Sequence, residues 1–246
     1  VATLAQLANA AELALSVNAP TGSLVRARWS TRVQFAVLGV LSGAWGAHVP
    51  SVKQHFDLTE ASLSMILLAV AFGVLFSLMF VGRVVEKLTA RGGALAGGLL
   101  IASALAAILH APNFAFAFPI AFLLGASMSL FDVSINAEGT ELEHVGGKPI
   151  MSNLHGMFSA GGMAGAALVA LLLRLGMPAA EQLALISGVL AVVIVVASRG
   201  MLVTHSTSDE PKQNFAWPRG LLLVIGLLIL AGMIAEGVMY DWGVLY

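Results

Sequence analysis

Cysteine is absent from this chain of 246 residues, which excludes disulfides, thiol nucleophiles and thiolate metal sites. Charge is almost as scarce. Asp, Glu, Lys and Arg make up 10% of the residues, against about a quarter in an ordinary soluble domain. A net charge of -1 leaves no basic surface for nucleic acid, so no nucleic-acid partner is expected. The histidines are scattered, no pair has the spacing of a helical metal site, and no metal is expected. The glycines follow no phosphate-loop pattern, and no cofactor is expected.

Long uncharged segments are what the chain does have. No charged side chain occurs in residues 33–52, 61–82, 92–131, 149–173, 182–198 or 220–235. A bilayer core about 30 Å thick needs about 20 apolar residues per helix, and its backbone must satisfy its own hydrogen bonds. The segments are long and do not alternate in polarity, so they are expected to be helices. Residues 92–131 must hold two spans, with the turn at His110-Ala111-Pro112-Asn113. This gives seven expected helices, near 33–52, 61–82, 92–110, 114–138, 150–174, 182–200 and 220–244.

The basic residues orient them. With the N-terminus inside, the inner segments hold Arg26, Arg28, Arg32, Arg83, Lys87, Arg91, Lys148, Arg199, Lys212 and Arg219, and the outer loops hold only Lys53 and Arg174. The N-terminus is therefore expected in the cytoplasm and the end of the seventh helix outside, where Tyr240, Trp242 and Tyr246 would form an interfacial belt. Residues 1–30 read as a poorly ordered lead-in, 31–200 as a six-helix bundle, 201–218 as a polar cytoplasmic linker and 219–246 as the first helix of a second bundle. The missing initiator Met and the odd helix count suggest a chain cut from a longer protein, with a C-terminal bundle lacking.

The segment after the second helix reads Gly82-Arg83-Val84-Val85-Glu86-Lys87-Leu88-Thr89-Ala90-Arg91. It resembles the loop signature of the major facilitator superfamily, with Glu in place of the usual Asp and Thr89 where Gly is common. Phe131-Asp132-Val133-Ser134-Ile135-Asn136 and Leu154-His155-Gly156-Met157-Phe158-Ser159, with Glu236 and Tyr240-Asp241-Trp242, resemble the fucose-permease-like branch of that superfamily. The resemblance implies an all-α membrane protein: the six-helix N-terminal bundle of that fold plus a seventh transmembrane helix, in a bacterial inner membrane. It implies a secondary transporter of a small, sugar-like solute, not an enzyme. Gly82 would let two helix ends approach, and Glu86, Lys87 and Arg91 would form a cytoplasmic charge lock; ordinary positive-inside topology explains the same cations. Sugar-transporting relatives carry an acid near the outer end of helix 1, where Pro50 stands here.

Asp132 and Asn136 are four apart and share one helix face, as do His155 and Ser159 on the next helix. Two polar stripes on antiparallel neighbours would face one another or a common cavity. An ionisable group at membrane depth marks a pathway or proton site by default. On that reading Asp132 carries protons and Asn136, His155 and Ser159 bind a hydroxylated solute; the alternative is a structural tie between helices. Trp45 and His48, among small residues on helix 1, form either a solute-stacking surface or a packing seam. Glu236 either lines the cavity or reaches the outer interface with Asp241. Glu138, Glu141 and Glu143 are expected to be solvated at the inner face, and the Gly92-Gly93, Gly97-Gly98 and Gly161-Gly162-Gly165 clusters to pack helices closely.

Other classes compete less well. A truncated, non-transporting remnant of the same protein fits the isolated chain. A seven-helix receptor shares the span count but not the inner signature, and an intramembrane hydrolase lacks a nucleophile motif around Ser159 and His155.

Overall fold

The computed structural model describes residues 21–202, 219–243 and 245. Among these, seven helices are long and apolar enough to cross a membrane, and no strand occurs. The protein is an all-α, multi-pass membrane protein. The helices are α1 (Thr21–His55), α2 (Glu60–Leu78), α3 (Val81–Ile108), α4 (Phe114–Gly146), α5 (Met151–Arg174), α6 (Ala179–Ser198) and α7 (Leu221–Trp242).

Helix α1 begins at Thr21 rather than near residue 33, so residues 21–30 of the expected lead-in are helical. Charge ends a membrane span, but Arg is a good helix former and the helix runs on beyond the span. Partners on other helices hold this extension: Arg28 donates to the Gly146 carbonyl at 3.4 Å and Arg32 Nε to Asn153 Oδ1 at 2.7 Å. Residues 1–20 of that lead-in, and all of the 201–218 linker except Met201 and Leu202, lie outside the described residues.

Side chains define the helix starts. The Thr59 hydroxyl accepts the Ser62 N–H at the start of α2, and Asn113 Oδ1 accepts the N–H groups of Ala115 and Phe116 at the start of α4. Gly147, at φ 61°, closes α4 in the left-handed conformation that glycine tolerates best. Glu143 then reaches across the turn, and its Oε1 accepts the Ile150 and Met151 N–H groups that open α5. At the opposite end of the bundle a Lys53–Glu60 ion pair of 2.6 Å spans the α1–α2 turn.

The bundle is built on two glycine seams. A Cβ on Gly39 would collide with the Phe158 carbonyl, and one on Gly161 with the Ala36 carbonyl, so α1 and α5 touch backbone to backbone. A Cβ on Gly73 of α2 would meet the Phe122 carbonyl of α4, and one on Gly125 of α4 the Val70 carbonyl. Close approach of this kind replaces the hydrophobic drive that lipid does not supply. The expected packing role holds for Gly93, Gly97, Gly98, Gly161, Gly162 and Gly165, whereas Gly92 faces only its own helix.

The main packing pairs are α1 with α5, α4 with α3, α4 with α2, α3 with α6 and α1 with α6. Exchanging α1 with α4, α2 with α5 and α3 with α6 maps this set onto itself. Two three-helix units packed about an in-plane pseudo-two-fold axis have that property. Helix α7 touches α1 and is otherwise uncovered.

Candidate functional site

Asp132 and Asn136 lie on α4, both half-buried. Asn136 Nδ2 donates to Asp132 Oδ1 at 3.0 Å and to the Asp132 carbonyl at 2.9 Å. This is the short-range contact that a separation of four residues dictates in a helix. It uses one carboxylate oxygen and leaves the side chain within electrostatic reach of His155 on α5. His155 packs edge-on against Phe35 of α1, with ring centroids 5.4 Å apart. Ser159 lies one turn further along α5, about 6 Å along the axis, and both His155 and Ser159 are exposed. Helices α4 and α5 have few contacts with each other. Their polar stripes therefore do not zip the two helices together.

Ser159 also lines a cavity of about 460 Å³ with Ser42, Gly43, Phe158, Glu236 and Tyr240, which joins α1, α5 and α7. That volume lies within the usual range for small-molecule sites, about 300–1,000 Å³. The Tyr240 hydroxyl donates to the Ser42 carbonyl, and its ring rests on Gly46. Glu236 is exposed and contributes to the lining of that cavity; the Asp241 side chain is outside the described residues. Tyr240 is not an outward belt residue: it is four residues from Glu236, and one helical face carries both into the cavity. Tyr246 lies outside the described residues.

Trp45 and His48 are placed elsewhere. Trp45 is 6% exposed within the apolar core, so packing governs it and its ring offers no stacking surface. His48 is fully buried, with Nδ1 3.1 Å from the Ser51 hydroxyl of its own helix and Nε2 without a hydrogen-bond partner among the described residues. It is a buried packing residue of α1 and not part of the Asp132 group.

The expected inner loop is also different. Residues 81–88 form a helical segment with Val81 and Val85 buried and Gly82, Glu86 and Lys87 exposed. A kink at Thr89 (φ 68°, ψ 162°) then redirects the chain into the span, and the Thr89 hydroxyl accepts the Gly92 N–H at 3.2 Å. Glu86 forms no ion pair with Lys87 or Arg91; among the described residues the one ion pair is Lys53–Glu60. A Cβ on Gly82 would meet open space, so no close helix approach depends on it. Burial of Val81 and Val85 explains the change, because an amphipathic turn anchors the segment where a charge lock was expected.

Two acids expected in solvent are engaged. Glu138 is fully buried, and its Oε1 accepts the Leu202 N–H at 2.7 Å, tying α4 to the segment that follows α6. Glu143 caps α5 as described, and Glu141 is half-buried. Sequence reasoning missed these because three acids within six residues look alike until the helix face is known. The 138/142 spacing with buried Leu142 is the signal that could have separated Glu138.

Three bacterial proteins are similar to this chain. An uncharacterized MFS-type transporter of Yersinia pestis is 32% identical over 88% of the chain and 56% of its own length. An uncharacterized transporter of Sinorhizobium fredii is 29% identical over 86% and 56%. The membrane protein MosC of Rhizobium meliloti is 29% identical over 87% and 52%. The chain thus spans about half the length of the curated relatives it matches. No protein-family profile matches it, and no solved structure is significantly similar.

Proposed function

We infer that this chain supplies the N-terminal bundle of a major facilitator superfamily transporter that moves a small hydroxylated solute together with protons. The transporter names of two relatives support the general class, and the bundle's exchange symmetry supports a two-repeat transporter half. Alternating access requires a second bundle to rock against this one, and the relatives have the length for it. The basic residues favour a cytoplasmic N-terminus in a bacterial inner membrane, and the resemblance to the fucose-permease-like branch supports a sugar-like solute.

One observation carries the mechanism. A half-buried carboxyl, Asp132, stands beside an amide on its own helix and within electrostatic reach of an imidazole on the next. Taking an unneutralised carboxylate out of water is costly, so closure of the cleft around Asp132 favours its protonated form. Rehydration on the opposite side then favours release. Asn136, His155 and Ser159 offer donors and acceptors for hydroxyl groups, and Ser159 shares its cavity with Glu236 and Tyr240 of α7. Proton loading at Asp132 and solute binding at its neighbours Asn136 and His155 are thus coupled by proximity.

In a transporter of the relatives' full length carrying this bundle, Asp132→Asn keeps the amide-sized hydrogen-bonding shape but removes the titrating group. Solute accumulation against a gradient is expected to fall to the background of transporter-free cells, while solute counterflow persists. Undiminished accumulation in the variant would remove the proton-carrying role.

A further inference from the structure

At the end of the bundle where α1 begins and α6 ends, a second cavity of about 630 Å³ opens between the two helices. Arg26, Trp29, Ser30 and Val33 line it from α1, at the 3, 4, 7 spacing of one helix face. Val192, Val196 and Arg199 line it from the α6 side. Gly200 makes the junction: a Cβ there would collide with the Ser30 hydroxyl and lie 3.2 Å from Arg26 Cγ. The Arg26 stem therefore passes beside Gly200, the residue after Arg199, and both arginines line the cavity. Among the described residues neither guanidinium has an ion-pair partner.

From this cationic mouth the groove turns apolar. Val192 and Val196 are 65% and 61% exposed and lead along α6 into the span, with Val33 opposite. Seven residues of helix make this trench about 10 Å long. Trp29 is exposed at the level of the arginines, with the Arg32 guanidinium 4.9 Å from its ring centroid. Cations and an indole at interface depth, above an apolar trench, match the chemistry of an anionic headgroup with an acyl chain. Arg suits phosphate because its planar fork donates two parallel hydrogen bonds.

We propose that the Arg26–Arg199 groove binds one anionic phospholipid of the cytoplasmic leaflet, the phosphate between the two guanidiniums and an acyl chain along Val192 and Val196. The polar segment 204–218 is a poorer occupant. Filling the trench with it would carry backbone groups to membrane depth without hydrogen-bond partners. The assignment rests on the cytoplasmic orientation given above and not on the solute or the coupling ion, so a failure of proton transport leaves it standing.

The test uses the 246-residue chain in detergent, titrated with phosphatidylglycerol or phosphatidylcholine of identical acyl chains and read by native mass spectrometry. One phosphatidylglycerol is expected to be retained with at least about tenfold preference, falling to near parity in R26Q/R199Q. Thermal melting of the variant should stay unchanged. A second readout keeps Trp29 as the sole tryptophan by W45F, W217F and W242F; brominated phosphatidylglycerol should quench it more than brominated phosphatidylcholine. Equal retention of both lipids, or an unchanged preference in R26Q/R199Q, would overturn the proposal. So would displacement by inorganic phosphate at matching concentration, which would mark a soluble-anion site. Trp29 fluorescence untouched by either lipid would assign the groove to the protein's own linker and equally sink it.

Discussion

Thr89 holds a backbone conformation (φ 68°, ψ 162°) that is close to glycine-only and strained for a β-branched residue. Its hydroxyl offsets part of that cost by accepting the Gly92 N–H. Thr89→Gly removes the strain and, at a helix start, costs only a few tenths of a kcal/mol, so it is expected to stabilise by about 1–2 kcal/mol. Thr89→Ala keeps the strain and loses the cap, and should destabilise by about 1 kcal/mol. Thermal melts of the two variants moving in the same direction would contradict this reading of the kink. Spacing made the Asp132–Asn136 contact legible, because residues four apart on a helix must be neighbours. The fates of Trp45, His48 and Glu138 were not legible. Each depends on which side of a uniformly apolar helix faces protein and which faces lipid, and composition carries little of that information in a membrane.

Helix by helix, the spans follow the uncharged segments closely, since hydrocarbon excludes charge and the boundaries are written in Arg, Lys, Asp and Glu. What composition did not reveal is helix beyond the membrane: the Thr21–Arg32 extension of α1 and the Val81–Leu88 turn of α3 are charged yet helical. The glycine clusters announced close packing, but their partners emerged only from the fold. Because Gly39 sits on the Phe158 carbonyl, Gly39→Ala must part α1 from α5, at an expected cost of about 1–3 kcal/mol. Gly156 on α5 meets nothing within 4 Å, and Gly156→Ala should gain about 0.5–1 kcal/mol of helix propensity. Melting temperatures of the two purified variants, compared with the native chain, check the contrast. A tolerant Gly39 would mean that the α1–α5 seam is looser than described.

Across the whole molecule, the exchange of α1–α3 with α4–α6 turns a list of helices into a mechanism. Asp132 stands beside Asn136 and within electrostatic reach of His155, and Ser159, one turn along α5 from His155, lines a cavity with Glu236. A bundle with a half-buried carboxyl beside polar groups is suited to bind a proton and a solute in alternation, provided a second bundle closes over it. The direct measurement is solute-evoked proton uptake by cells carrying a transporter of the relatives' full length with this bundle, native against Asp132→Asn. The native protein should alkalinise the medium when solute is added, and the variant should not, although it still exchanges solute. Proton uptake of equal size in both would contradict the assignment of Asp132 as the proton carrier.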